Sequence, residues 1–534
     1  MRPFSPRVFL LIIFFICINY PIDSQVVYEP LTNTGIYSLL DELAADGLTE
    51  INGAVKPYSR KTISDILLQV YENKEKLSAR QLKEVEFYLV DYRMPESEKR
   101  LRFVFNPASI QYHDSLFHLT VTPLLGLTAG TVTGHAGPVM KRNNGARISG
   151  IYGNWGFFAA LQDNYQDPLL GKPLYLTRET GGHIKNLTDF SSMTGGISYS
   201  WRWADISFVR DAPVWGSGYA GTNILSGRAP AFMQIRLHIR PVKWMEMTWF
   251  HGWLNSMVVD SSRSYWVTNA YGTDYREVYH RKYMAANIFT FTPVQRLHIS
   301  AGNSVIYSDP RLMPAYLMPI FFYKSVDHDY NSGIDNSNSQ MFIDISSFQI
   351  RHLHLYGTLF IDEMSTKRFT TPDFNFFSWK GGFRTGNFSF LPGMWLTAEC
   401  TFTYPLTYQH YVPVLTFENQ GYNLGHYLRD NSRSVWTAID YKPIRGMSMR
   451  LWYEWAQRGP DYQSIGGPRV GLPYIGNEEW KSVAGGVEVH YLITGGIEAS
   501  ASFTKSNVKG EEEWTAPLLY GLTSGFYFGL NWGF

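Results

Sequence analysis

The last fourteen residues alternate in character with a period of two, and this pattern constrains the fold more than any other feature of the chain. Successive side chains of a β-strand point to opposite faces. One face would be apolar and aromatic, and the other small or polar. This is typical of a membrane β-barrel strand, with lipid outside and a polar lumen inside. The apolar face carries Phe534, Trp532, Leu530, Phe528, Phe526 and Leu522, and the other carries Gly533, Asn531, Gly529, Tyr527 and Gly525.

The same alternation recurs throughout residues 101–534. Tight links around Pro241, Pro293, Pro443 and Gly495 alternate with long polar segments, as turns and loops do in membrane barrels. At ~10 residues per strand, ~4 per turn and ~20 to 30 per loop, this part of the chain predicts an all-β transmembrane barrel of roughly 16 to 18 antiparallel strands. Two soluble β-sandwiches are the alternative. The charged fraction of 17% argues against them, because soluble domains usually contain ~25%.

Residues 1–24 are predicted to be a secretory signal peptide. Arg2 and Arg7 precede an apolar run from Val8 to Ile18, which is too short for a spanning helix, since that needs ~20 residues. Cleavage leaves Cys400 as the only cysteine, so the exported protein has no internal disulfide. The net charge of +1 gives no reason to expect a nucleic-acid partner.

Residues 25–100 predict a small periplasmic α-helical bundle. An apolar run with helical spacing, from Ile36 to Leu43, ends before Gly47, a suitable C-cap residue. Ser59 is a candidate N-cap for a second helix. Ser78 and Gln81 match the capping box of a third.

Motifs with catalytic chemistry are nearly absent from the sequence. Residues 216–221 match the G-x-G-x-x-G pattern, but without a following helix they favour a flexible loop over a nucleotide site. His352 and His354 lie two residues apart, and lumen lining is favoured over metal binding. Glycoside hydrolysis needs two nearby carboxylates, which Asp362, Glu363 and Glu399 could supply, but solvated loop charge is the favoured interpretation. We therefore predict no catalytic residue, metal or cofactor.

Aromatic and amide side chains are dense in the predicted loops. Their flat faces can pack on sugar rings, and neighbouring amide or guanidinium groups can bind hydroxyls or acidic sugars. An interfacial aromatic girdle is the alternative, and for the loop residues both interpretations stay open. The loop residues concerned include Trp215, Tyr219, Asn223, Arg228, Tyr408 and His410.

Several ordered sequence blocks carry a resemblance to a known family. They lie at 37–44, 56–60, 215–219, 225–230, 359–363, 404–410 and 423–426. In this order they resemble the Wzi family of outer-membrane capsule-assembly proteins, in the divergent form that includes a gliding-motility outer-membrane protein. The resemblance implies a periplasmic bundle and an eighteen-stranded barrel whose loops close the lumen. It also implies a lectin that anchors capsular polysaccharide, without catalysis or export.

One departure from the family pattern affects the last block. After Gly425 and His426 the family form continues toward a Gly-Pro pair, whereas 428–430 intervene here. The loop conformation and the ligand therefore stay open. With His426 added from this block, the candidate glycan-binding residues are Trp215, Tyr219, Asn223, Arg228, Tyr408, His410 and His426.

The sequence thus predicts a non-catalytic polysaccharide anchor in the outer membrane of a Gram-negative bacterium. The expected partners are an acidic or capsular polysaccharide, outer-membrane lipid and the barrel assembly machinery, and the expected state is a monomer. An outer-membrane channel, a barrel enzyme and a protein of surface adhesion or gliding motility are the alternatives.

Overall fold

The computed structural model describes residues 26–92, 100–105, 108–114, 116–184, 188–331, 333–363, 375–463 and 472–533. The predicted signal peptide and Phe534 lie outside these residues. Three helices come first, namely α1 (Thr34–Ala45), α2 (Arg60–Glu72) and α3 (Ala79–Tyr92), and a fourth, α4 (Tyr323–Tyr330), lies in a long loop. No helix in the described ranges has the length and apolarity needed to cross a membrane.

Eighteen antiparallel strands close into a barrel, as the sequence predicts. Nine of them are β1 (Phe117–Val132), β2 (Val139–Tyr152), β3 (Trp155–Asp167), β4 (Asp189–Trp201), β5 (Ala204–Asp211), β6 (Phe232–Val242), β7 (Met245–Val259), β8 (Tyr279–Val294) and β9 (Leu297–Tyr307). The others are β10 (Ser337–Ser347), β11 (Leu353–Glu363), β12 (Phe376–Phe388), β13 (Leu391–Thr403), β14 (Ser432–Tyr441), β15 (Met447–Arg458), β16 (Trp480–Thr494), β17 (Ile497–Gly510) and β18 (Gly521–Trp532).

The barrel closes where β18 pairs with the second half of β1, from Gly525 opposite Val132 to Trp532 opposite Leu125. The first half of β1 is left without β18 as a neighbour. A hairpin of Arg100–Phe105 and Ala108–His113 pairs there instead, through Ile110 opposite Val121. The edge that a staggered closure exposes is thus covered by the segment between the helices and the barrel.

The two faces of the wall have the predicted polarity. On β18, Leu522, Phe526, Phe528 and Leu530 are each more than half exposed on the outer face. Tyr527 lies on the opposite face and lines a cavity in the lumen. The predicted alternation therefore distinguishes the outer face of the strand from the face that lines the lumen.

Connections between strands are short at one end of the barrel and long at the other. We call these the short-turn end and the long-loop end. At the short-turn end, tight links such as 243–244, 295–296 and 495–496 join successive strands. The loops 212–231, 308–336 and 404–431 lie at the long-loop end.

The predicted helix signals are confirmed in detail. The Ser59 hydroxyl caps α2 by accepting from the Thr62 amide at 3.0 Å. The Ser78 amide donates to Gln81 Oε1 at 3.0 Å, and the Gln81 amide donates back to Ser78 Oγ at 3.3 Å, which is a capping box. Gly47 has a φ of 77°, the left-handed conformation that follows a helix end.

The helices pack into the short-turn end of the barrel. Their apolar faces form one core with Phe348 and Trp395 of the wall. Arg296 donates to the carbonyl oxygens of Ala44 and Ala45 at 2.9 and 3.2 Å, beyond the last turn of α1. Cationic groups are favourable at a helix C-terminus, where carbonyl groups lack partners. The bundle therefore closes this end of the lumen by packing and by polar contacts.

The N-terminal segment lies against the inner wall of the barrel beside the bundle. Tyr28 donates to Asp205 at 2.8 Å, its carbonyl oxygen accepts from Arg147 at 2.8 Å, and its ring faces the Arg236 guanidinium at 4.8 Å. These partners come from β2, β5 and β6. The chain is thereby attached to the inner wall before the first helix begins.

Candidate functional site

The 212–231 loop folds into the lumen and joins the helical region to the barrel. Its strand Val214–Trp215 pairs with Val55–Lys56 on one side and with Leu225–Ser226 on the other. Trp215 packs against Phe250 and Phe342, which project inward from the wall, with ring centroids 5.2 and 5.8 Å apart. The lumen on this side therefore holds an apolar core rather than water.

A buried ion pair fixes the tip of this loop. Glu399 on β13 accepts from the Tyr219 amide through Oε1 at 2.5 Å and from the Ala220 amide through Oε2 at 3.0 Å. Lys380 on β12 donates to the same Oε2 at 2.6 Å. Both charged side chains are 1% exposed. The interpretation of Glu399 as solvated charge is therefore wrong, because the wall and the loop enclose it. Its contacts are structural.

The G-x-G-x-x-G match at 216–221 belongs to this loop tip. Gly216 and Gly221 both have a φ of 96°, a conformation that side chains with a Cβ rarely adopt. The glycines let the backbone turn toward Glu399. No helix begins here, in agreement with the loop prediction.

The 404–431 loop packs on the 212–231 loop. Tyr408 donates to the carbonyl oxygen of Asn223 at 2.8 Å, and the Ser226 amide donates to the carbonyl oxygen of Leu424 at 2.8 Å. Asn223 itself is fully buried and donates to the Ser378 carbonyl oxygen at 2.9 Å. The two loops and the wall thus form one packed unit.

The structure brings the candidate glycan residues together, mostly inside this unit. Tyr219 is half-buried and its hydroxyl lies 2.8 Å from His354 Nδ1, while His410 is half-buried and stacks on Tyr411. Glycan contact by the set stays a prediction, and the burial of most members shows that they also hold the loops in place. The buried members are Trp215, Asn223, Arg228, Tyr408 and His426.

Arg228 holds a neighbouring loop as well. Its guanidinium donates to the carbonyl oxygens of Lys172 and Tyr175 at 3.1 and 2.7 Å, and its own carbonyl oxygen accepts from Gly181 at 2.7 Å. The 168–184 segment is therefore positioned by the loop core. That segment contributes to the wall of the cavity described next.

A cavity of about 640 Å³ occupies the part of the lumen that the loop core does not fill. Strands β1, β2 and β15–β18 form its wall, and residues of 168–184 and 511–520, together with Tyr427 of the 404–431 loop, form the rest of its lining. Hydroxyl groups from β17 and β16 line one side, among them Ser482, Ser502 and Thr504. Aromatic rings line it as well, namely Tyr175, Tyr427, Trp452, Trp480, Trp514 and Tyr527.

Two ion pairs face this cavity. Lys141 lies 2.6 Å from Glu179, and these side chains are 39% and 38% exposed, so water reaches both. Arg178 pairs with Glu454 and lies over the Tyr427 ring at 4.7 Å. The cavity therefore combines aromatic faces with charges of both signs, a combination that suits a polar ligand with ring faces.

Sequence reasoning missed this cavity. The polar-face positions of Trp452 in β15 and Tyr527 in β18 were the available signals, because an aromatic ring on a polar face points into the lumen. The other lining rings come from chain segments far apart in sequence, so alternation cannot group them.

The geometry offers little support for metal or acid-base chemistry. Within the described residues, no group of three or more His, Cys, Asp or Glu side chains is arranged to hold a metal ion. His354 is enclosed between Tyr219 and Ser346, each at 2.8 Å, whereas His352 lies in the preceding turn, 3.0 Å from Asp46. The two histidines thus do not share a site.

Comparison with solved structures shows the fold. Wzi, described as an outer-membrane protein involved in group 1 capsule assembly in Escherichia coli and as a carbohydrate-binding β-barrel, matches with a TM-score of 0.59 and 12% identity. The match covers 96% of this chain and 100% of Wzi. The chain therefore has the Wzi fold along nearly its whole length.

Other barrels match less well. OccD3 of Pseudomonas aeruginosa gives a TM-score of 0.44 at 10% identity, over 78% of this chain and 90% of that one. OccAB2 of Acinetobacter baumannii gives 0.44 at 7% identity, over 78% and 97%. No protein-family model matches the chain, and no curated protein matches its sequence.

Proposed function

We propose that this chain is an outer-membrane barrel that binds a surface polysaccharide at its long-loop end and anchors it there without catalysis. The observation that carries the proposal is the 640 Å³ cavity beside the loop core, which is lined by aromatic rings and by water-accessible charges. A pocket of this kind suits sugar rings, which offer apolar faces and hydroxyl edges. The Wzi fold and the ordered sequence blocks support the same function and membership of the Wzi-like family.

The ion pairs suggest how an acidic sugar would be held. A sugar carboxylate approaching Lys141 replaces Glu179 as its acceptor, and charge-assisted hydrogen bonds of this kind are about twice as strong as neutral ones. Trp452 of β15 offers a ring for stacking in the same cavity. We therefore assign binding to this cavity and loop positioning to Arg228.

The proposal includes an orientation. The short-turn end and its helices lie in the periplasm, the apolar wall lies in outer-membrane lipid, and the barrel assembly machinery inserts the chain as a monomer. The lumen core and the bundle disfavour a diffusion channel, since both occupy space that a solute would need. Surface adhesion or gliding would use the same glycan-binding end.

Retention of the cell's own polysaccharide tests the proposal. We expect Trp452→Ala and Lys141→Gln strains to release more polysaccharide into the medium while keeping normal amounts of barrel. Loss of stacking costs about 0.5 to 1.5 kcal/mol. Lys481→Gln is a matched control, because Lys481 lies at the same end but outside the cavity lining. Normal retention in both cavity variants would contradict the proposed site.

A further inference from the structure

One long loop folds against the outside of the barrel. We call residues 309–331, which include α4, the outer strap. Its Tyr316 and Tyr323 are fully buried and pack with Trp249, Tyr283 and Tyr307 of β7, β8 and β9. These wall residues face outward, because each alternates along its strand with a residue of the luminal core, namely Phe250, Met284 and Ile306.

Polar groups on the outer wall bind the strap backbone. Asn287 donates to the carbonyl oxygens of Pro319 and Phe321, both at 2.9 Å. Asn303 donates to Asn287 Oδ1 at 2.7 Å and accepts from the amide of Tyr323 at 2.8 Å. An amide group on a lipid-facing wall is costly without a partner. The strap backbone supplies these hydrogen-bond partners, so it satisfies the polar groups of Asn287 and Asn303 on the outer wall.

The contact between the strap and the outer wall lies near the middle of the strands rather than at the rim of the long-loop end. Asn287 is in the middle of β8, and Phe291, toward the short-turn end of the same face, is 40% exposed. Outward residues on nearby strands are apolar and exposed, such as Phe208 at 49%, Ile343 at 41% and Ile345 at 45%. The strap therefore interrupts the apolar outer belt of the barrel.

The free side of the strap continues that belt. Residues 312–323 contain no charged side chain. The exposed residues are Leu312 at 39%, Met318 at 43%, Ile320 at 67%, Phe321 at 38% and Phe322 at 46%. The nearest charged residues are Arg311 immediately before this segment and Lys324 immediately after it.

Part of the strap backbone has the hydrogen-bond partners that a hydrocarbon environment requires. Irregular backbone is excluded from lipid because its polar groups lack partners there. Pro314 and Pro319 have no amide hydrogen, and Asn287 binds two carbonyl oxygens of the strap. The Met318 and Phe321 amides donate to backbone oxygens within the strap, both at 3.4 Å.

We propose that residues 312–323 lie in the membrane as a lipid-facing strap, and that Met318, Ile320, Phe321 and Phe322 contact lipid acyl chains in place of the covered wall. The inference rests on the proposed location of the barrel wall in a bilayer. Continuity of the exposed apolar residues with the outer belt identifies acyl chains as the occupant. The strap also shields the Asn287 and Asn303 side chains from lipid.

Accessibility of a nitroxide spin label tests this in vesicles of phosphatidylethanolamine and phosphatidylglycerol. Single cysteines are placed at Ile320, at Phe528 on the outer face of β18, and at Tyr271, which is 100% exposed in the loop hairpin 265–276. The full mature chain carries Cys400→Ser. We expect the Ile320→Cys label to match Phe528→Cys, with a ratio of oxygen to nickel-chelate collision rates several-fold above that of Tyr271→Cys.

The two controls separate the possible failures. An Ile320→Cys label that resembles Tyr271→Cys, while Phe528→Cys shows lipid contact, overturns the strap proposal alone. Nickel access at both Ile320→Cys and Phe528→Cys would instead overturn the proposed membrane location, and the strap with it. A second label at Phe322→Cys repeats the test if Ile320→Cys fails to fold.

Discussion

Single charged side chains decide how the loops are held in this lumen. Glu399 and Lys380 form a pair that is 1% exposed, and the carboxylate also binds two backbone amides of the 212–231 loop. Breaking a buried pair by removing one partner typically costs about 3 to 5 kcal/mol, because the other charge is left without compensation. The pair thus couples loop position to barrel integrity.

Asp430 gives the loops a dependence on pH. Its carboxylate accepts from the Tyr408 amide at 2.8 Å. Burial raises the pKa of Asp430 to about 7, and nearby Asp461 adds to the rise, although Arg429 and Arg458 oppose it. A carboxyl with a raised pKa in the folded state stabilises that state at low pH. This contribution is present below the ordinary pKa near 4 and is lost as pH rises through about 7.

We therefore expect the 404–431 loop to open more readily at pH 8 than at pH 5. One pKa unit corresponds to about 1.4 kcal/mol, so the loss amounts to a few kcal/mol. Hydrogen exchange of peptides that contain Tyr408, corrected for intrinsic rates, measures the opening. The Asp430→Asn variant keeps an acceptor and should remove the dependence on pH. Equal protection at both pH values in the unmodified chain would contradict the assignment.

For individual residues, the sequence indicated which residue types occur in the loops but not whether their side chains are buried. The sequence identified aromatic and amide residues of the loops, such as Trp215 and Asn223, as candidates for contact with a glycan, and the structure places both of them in the packed loop core. Their burial was not predictable, because it depends on contacts with Phe250, Phe342 and Ser378, which are far away in the sequence. Local pattern carries no information on whether a long loop folds inward.

Among the elements, the helices and the wall strands were predictable from local signals. Caps at Ser59 and Ser78 and the alternation of β18 depend on residues close in sequence. The strand Val55–Lys56 and the outer strap were not predictable. Both are defined by partners from distant elements rather than by their own period.

The outer face of β18 provides a test of the wall. We expect Phe528→Lys to destabilise the barrel in a bilayer by about 2 to 4 kcal/mol, because a cation near mid-membrane loses hydration. Urea unfolding in vesicles measures the change. Tyr271→Lys is the control in an exposed loop and should change stability by less than about 0.5 kcal/mol. Equal effects of the two substitutions would show that β18 does not face lipid.

For the whole molecule, the central feature is a closed barrel whose lumen contains the helical bundle and a core made by two loops. The bundle closes the short-turn end, and two loops form an apolar core along one side of the lumen. The eighteen-stranded closure follows the sequence prediction at its upper limit. The cavity beside the loop core is the place where we propose that a surface polysaccharide binds.

Because the bundle and the loop core occupy part of the lumen, we expect the barrel to conduct few ions. We expect the purified chain in a planar bilayer to give no regular conductance steps, because the bundle and the loop core occupy lumen space that ions would need. Insertion is checked by the gel shift that a folded barrel shows on heating. Stepwise, long-lived conductance with inserted protein would favour the channel alternative.

Direct binding of the host's purified surface polysaccharide to the refolded barrel tests the central claim. Calorimetric titration should show saturable binding to the unmodified chain and to Lys481→Gln. Binding to Trp452→Ala should be weaker by up to roughly tenfold, in line with a stacking loss of about 0.5 to 1.5 kcal/mol. Binding to Lys141→Gln should lose its dependence on salt in part, since one exposed charge contact is removed. Absence of binding to the unmodified chain, or equal binding by all four proteins, would contradict the claim that this cavity anchors a polysaccharide.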